Sequence, residues 1–164
     1  MSGINSLLSI AAIFLFSLIS LRFNSVALQN MQLEIENKVY LTAFSLGDDL
    51  LEKIKQRAFD EQTIVFRSIN PEELTQTSDL GPDAGENSAS DFDDLDDYKG
   101  YNMTVSLPHV EGFVVQSDVN YVQEDNYDEI SNIQTFYKRV DITVSSDYIN
   151  HPVHLSFVFT LHSK

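Results

Sequence analysis

Residues Thr135–Ser146 read "TFYKRVDITVSS". Phe136, Val140, Ile142 and Val144 fall on one side of an extended chain, because successive side chains of a strand point to opposite faces. Alternation of this kind is the mark of a strand with one buried face. Lys138 is the exception, standing where the pattern asks for an apolar residue.

The neighbouring segments repeat the pattern. In "PVHLSFVFTLHS" (Pro152–Ser163), Val153, Leu155, Phe157, Phe159 and Leu161 share a side. In "GFVVQSDVNYVQ" (Gly112–Gln123), Phe113, Val115, Val119 and Tyr121 do so, and in "NMTVSLP" (Asn102–Pro108), Met103, Val105 and Leu107. Short turns such as "PHVEG" and "YINHP" separate the runs. Residues 100–164 are therefore expected to form a four-stranded antiparallel sheet with one buried face.

The N-terminal half has a different period. "INSLLSIAAIFLFSLISL" (Ile4–Leu21) is uncharged and long enough to approach the ~20 apolar residues that span a bilayer. A cleaved secretory signal is the main competitor, with "SVA" at Ser25–Ala27 as its cleavage site, and a buried core helix is the third reading. The run has no Lys or Arg before it and exceeds a usual signal core, which favours a retained membrane helix. Arg22 is the flanking positive charge. Beyond it, Met31, Ile35, Val39 and Leu46 keep helical spacing, and Ala43, Gly47, Leu50, Ile54 and Ala58 continue it. One helix is expected from about residue 4 to 60, apolar in residues 1–28 and amphipathic in 29–61, with Gly47 as the place for a bend. The amphipathic half is the natural cover for the sheet's apolar face, an α+β arrangement. Residues 62–99 form an acidic connecting loop with little periodicity beyond "TIVF" (Thr63–Phe66).

Composition narrows the function. The 164 residues suit one core, the net charge of −15 argues against nucleic acid and anionic lipid as partners of the polar part, and no cysteine is present. No small-molecule substrate is evident, and His109, His151, His154 and His162 make no spacing that reads as catalysis; none is expected. "NMT" at Asn102 is a glycosylation sequon and equally ordinary strand sequence.

The densest chemistry is in "SDFDDLDDYKGY" (Ser90–Tyr101). Asp91, Asp93, Asp94, Asp96 and Asp97 supply hard oxygen ligands of the type calcium takes, although glycine is missing where an EF-hand needs it. A solvated acidic loop and a structural turn are the other readings. Phe92, Leu95 and Tyr98 recur every third residue, which suits a short helical turn with its acids outward. In the apolar helix, Ser6, Ser9, Ser17 and Ser20 are small enough for close helix packing, and Asn5 suits either headgroups or a neighbouring helix.

An apolar helix running into an amphipathic one, a polar loop and a four-stranded antiparallel sheet resemble type IV pilins and the pseudopilins of type II secretion systems. "AFDE" (Ala58–Glu61), "DFDDLDDYKGY" (Asp91–Tyr101) and "RVDITVSSDYINHPVHLSFVF" (Arg139–Phe159) look like segments of minor pilin-like proteins. The resemblance implies a pilin-like fold, a single-pass bacterial inner-membrane protein with a periplasmic or extracellular C-terminal domain, and self or other pilin-like subunits as partners through the N-terminal helix. It also raises calcium in the loop, as some pseudopilins have. The departures are specific: a leader would be only "MSG", the acidic residue expected five positions into the mature chain is Asn5 or Leu8, and Arg22 replaces a helix-softening proline. A monomeric, membrane-tethered envelope binding module is the alternative.

Overall fold

The computed structural model describes residues 2–65, 70–108 and 110–161. The expected elements at Phe66, His109 and His162 lie outside the described residues.

Helix α1 runs over Ser2–Ile54 without interruption. It is long and apolar enough to cross a membrane by length and composition. The chain forms two compact units, Met1–Val39 and Tyr40–Lys164. In the first unit the large apolar side chains from Ile4 to Ile35 stay exposed, from Leu18 at 45% to Phe23 at 76%, and Val39, its last residue, is buried as expected. Met31 and Ile35, expected on the packing stripe, are exposed at 60% each.

Burial continues along the helix in the second unit. Ala43, Leu50, Leu51 and Ile54 on α1 are buried there. Gly47 shows why the helix lies close to the sheet: a Cβ at this position would stand 2.8 Å from Leu155 Cδ1 and 3.3 Å from Val144 Cγ2. The glycine therefore serves close approach and not a bend. The helix ends at Ile54, earlier than the expected residue 60. Its last turn tightens, with Gln56 N donating to Lys53 O and Arg57 N to Ile54 O. Ala58 then pairs in parallel with Asp94, its N–H donating to Asp93 O at 3.0 Å. A short helix α2 follows at Glu61–Val65.

The sheet is a meander, ordered β1 (Tyr101–Leu107), β2 (Val110–Tyr121), β3 (Tyr137–Ser145) and β4 (Val153–Thr160), all pairs antiparallel. The expected faces are observed on β1, β2 and β3, whereas on β4 Phe157, expected on the buried side, is exposed at 39%. Phe113, Val115, Val119 and Tyr121 of β2 and Val140, Ile142 and Val144 of β3 are all buried. Each such aliphatic or aromatic side chain contributes about 1.5–3 kcal/mol by leaving water. Between Val105 and Leu107 of β1 the partner strand advances by three residues, Phe113 to Val110. Gly112 takes φ +79° at this bulge, a conformation that favours glycine. The turn after β2 is not short: residues 122–136 form an excursion closed by a Val122–Ile130 bridge.

Candidate functional site

Lys138 is fully buried on the apolar face of β3. Its register neighbours across the sheet are Tyr121 on β2 and Phe159 on β4. An ammonium ion inside a core needs an acceptor for each N–H, and three converge on this one. Nζ donates to Phe59 O at 2.8 Å, to Asp60 Oδ2 at 2.8 Å and to Asp96 Oδ1 at 2.5 Å. The rings of Phe59 and Tyr121 lie 5.0 and 5.1 Å from the nitrogen, within reach of cation–π attraction.

Asp60 is placed by local chemistry. It precedes α2, where Oδ1 accepts from Gln62 N and its carbonyl accepts from Thr63 Oγ1, an N-terminal capping arrangement. The same carboxylate accepts from Thr75 N (3.1 and 3.2 Å to its two oxygens) and Thr75 Oγ1. The Tyr121 hydroxyl lies 3.0 Å from Asp60 Oδ2 and 2.9 Å from the Thr75 carbonyl. Burial first, and then the Asp60 charge, push the Tyr121 phenol well above its ordinary value, so it serves as a donor. The network thus ties α2, the Thr75 segment, β2 and β3 into one buried unit. "AFDE" was expected to end the first helix; Asp60 instead opens the next one.

The aspartate cluster differs most from expectation. Asp94, Asp96 and Asp97 are buried, at 2%, 3% and 3% exposure, whereas Asp91 and Asp93 face solvent. The acids of the turn therefore point inward together with Phe92, Leu95 and Tyr98. The physical reason is supply of partners: backbone N–H groups and Lys138 compensate each buried carboxylate. Asp97 Oδ2 accepts from Asp93 N and Asp94 N at 2.9 and 3.0 Å. Asp94 Oδ1 accepts from Asp96 N at 2.8 Å and Asp97 N at 3.3 Å. Together they build the one-turn helix Asp96–Tyr98, which carries Asp96 to Lys138. Tyr98 packs edge-on against Phe92 and Tyr101 at 5.1 and 5.8 Å, and its carbonyl accepts from Ser117 Oγ.

Asp94 Oδ2 is buried without a hydrogen-bond partner among the described residues. Burial and, after it, the Asp96 charge raise the Asp94 carboxyl to about 8, against the opposing pull of Lys138. Burial likewise raises Asp96, against Lys138.

The structure does not bring the five aspartates to one point. Among the described residues, carboxylate oxygens of Glu86, Asp93 and Asp97 gather within 4.8 Å of one another. Asp91 bonds Ser88 and Ser90, and Asp94 and Asp96 belong to the buried network. Among the described residues, no lysine or arginine pairs with these three. Burial comes first in raising Glu86 to about 7, with the charges of Asp97 and Asp93 adding to it. Glu61, pushed upward by burial and then by Asp93 and Asp83, lies beside the same group. An all-carboxylate set of this kind suits a hard divalent cation such as calcium. Glu86 was missed in the sequence because seven residues separate it from Asp93.

The remaining expected positions are unconnected to this site. Ser9 Oγ and Ser17 Oγ donate to the carbonyls of Asn5 and Ile13, one turn earlier in α1. Asn5, Ser6 and Ser20 are exposed on the same helix. His151 and His154 are exposed, and His154 Nδ1 lies 3.0 Å from Thr143 Oγ1. A separate, mainly apolar cleft of about 630 Å³ lies between α1 and β1, lined by Leu46, Leu50, Tyr98, Tyr101, Met103 and Val105 together with the polar Asp49, Lys53, Arg57 and Ser90.

The side chains of Lys138 and Asp60 have no exposed surface, and that of Asp96 is 4% exposed. No protein-family model, no curated protein and no solved structure matches the chain.

Proposed function

We propose that the chain is a structural, non-enzymatic subunit of a type IV pilus-like or type II secretion-like assembly, anchored in the bacterial inner membrane by its N-terminal helix. The observation that carries this reading is the continuity of α1. Its first unit exposes Ile4, Leu7, Leu8, Ile10, Ile13 and Phe14 at 63–71%, while its last turns are part of an α+β core. Apolar surface of that extent needs a bilayer or other helices to cover it. In the assembled state the helices bundle, with Asn5, Ser6, Ser9, Ser17 and Ser20 as close-packing positions. The sheet domain and acidic loop then lie on the periplasmic or extracellular side, and the carboxylates of Glu86, Asp93 and Asp97 take the role assigned to a calcium loop.

A second reading, a monomeric membrane-tethered binding module, is favoured by the apolar cleft between α1 and β1. One experiment separates the two. The chain has no cysteine, so a single Ser9→Cys substitution gives a background-free cross-linking site. Oxidation in native membranes should trap dimers, and a second cysteine at Ser20 should extend them to a ladder. Monomer alone from both variants favours the tethered module and counts against assembly.

A further inference from the structure

A chain without cysteine has no disulfide to join its loop to its sheet. The Lys138 cluster has what a different covalent bond requires: a buried amine, a carboxyl group in contact with it, and a second carboxylate touching the same nitrogen. We propose that Lys138 and Asp96 condense into an intramolecular isopeptide bond, with Asp60 as the proton carrier.

Proximity favours the reaction. Nζ is in hydrogen-bond contact with Asp96 Oδ1, which places the amine beside the carboxyl group, and well-oriented intramolecular partners reach effective concentrations of roughly 10⁵–10⁸ M. The surroundings favour it too. Lys138 and Asp60 are fully buried, Asp96 is nearly so, and the Phe59 and Tyr121 rings cover the nitrogen. Burying ions is costly, and the condensation replaces an ammonium and a carboxylate by a neutral amide in a site that excludes the water needed for reversal.

The two carboxylates have different roles because their partners differ. Asp60 accepts from Thr75 N, Thr75 Oγ1, Gln62 N and Tyr121, so losing an oxygen there would strand several donors. Asp96 Oδ1 is held by Lys138 itself. Lys138 first passes one proton to the Asp96 carboxylate, leaving a neutral amine and a carboxylic acid. The nitrogen lone pair attacks Asp96 Cγ and forms the C–N bond. Asp60 takes a second proton from that nitrogen and returns it to the departing hydroxyl. The C–O bond breaks and water leaves. An ammonium and a carboxylate have become an amide and one water, with no net change in charge, and Asp60 is restored. The product bolts β3 to the turn that precedes β1, 42 positions away in sequence.

Intact-mass spectrometry of the detergent-extracted full chain tests the bond. The expected result is a mass one water below that of the uncross-linked chain. After digestion, one branched peptide should carry Lys138 joined to Asp96, sequenced from both arms. Lys138→Arg keeps the charge and should restore the full mass. Asp60→Asn should leave most of the chain uncross-linked. A folded wild-type chain at full mass overturns the proposal, and so does a lost water traced to a succinimide within one peptide. A link to Asp60, or a Lys138→Arg chain still lighter by one water, overturns it equally. The wild-type measurement decides the matter even where a variant fails to fold.

Discussion

Lys138 Nζ and Asp60 Oδ2 meet at 2.8 Å with neither side chain exposed, although 78 residues separate them in sequence. The contact turns an apparent defect in a strand pattern into the point where α2, β2, β3 and the Asp96 turn converge. Losing Lys138 removes the counter-charge of Asp60 and the tie to Asp96, whether ionic or covalent, and leaves Asp60 with its hydrogen bonds but no cation beside it. Lys138→Met should therefore destabilise the fold by about 3–5 kcal/mol, the usual effect of breaking a buried pair from one side. Thermal melts of the full chain in detergent measure this, and a loss below about 1 kcal/mol would show that the network contributes little.

Stability should fall as pH rises from mildly acidic to mildly alkaline in a buffer free of divalent cations. Asp94 ionises near 3.8 when unfolded and only at about 8 when folded. Between these values the folded state holds a proton that the unfolded state has lost, so the contribution is complete below the unfolded value and is lost as pH approaches about 8. Glu86, raised from 4.5 to about 7, adds the same sign. Asp96, Asp97 and Lys138 are the charged groups acting on Asp94. Tm measured across pH 5–8.5 should decline, and Asp94→Asn should flatten the slope while leaving an oxygen to accept from Asp96 N and Asp97 N. A flat wild-type profile contradicts the prediction.

Calcium should raise Tm if Glu86, Asp93 and Asp97 hold it. Stabilisation grows with concentration over affinity, reaching about 2.7 kcal/mol at one hundred times Kd. Glu86→Gln combined with Asp93→Asn should abolish the response without disturbing the buried network, since Asp97 keeps its N–H partners. No shift at millimolar calcium would retire this role for the loop.

Gly47 sets how closely α1 approaches β3 and β4. Gly47→Ala should change stability by less than about 1 kcal/mol, because the gain in helix propensity offsets the small displacement of the Leu155 tip. Gly47→Leu should cost about 1–3 kcal/mol, as overpacked cores do. Equal melts for the leucine variant and the wild type would mean that the contact is slack.

Much of the architecture was legible because periodicity is a local property. Val140, Ile142 and Val144 announced a buried face, and so did Phe113, Val115 and Val119; all six are buried. The uncharged run from Ile4 to Leu21 announced a helix long enough for a membrane, and the helix is there. Lys138 was visible as the one misfit on its strand, but its sequence neighbours could not supply its counter-ions.

The acidic turn shows where local reading stops. Three-residue spacing correctly grouped Phe92, Leu95 and Tyr98 as a packing set, yet it assigned Asp94, Asp96 and Asp97 to solvent. A carboxylate is buried only where distant groups replace its water, and those groups are Lys138 on β3 and the backbone N–H groups of the turn itself. The same logic explains Glu86, whose partners are neighbours only after the loop has folded.

Sequence by itself determined the strand faces, the long helix and the acidic character of the loop, because each follows from side chains a few positions apart. The tertiary structure alone decided which acids are inside, where the helix stops and what Lys138 is for. Those outcomes depend on desolvation and partner supply across gaps of 42 and 78 residues, which no local pattern encodes.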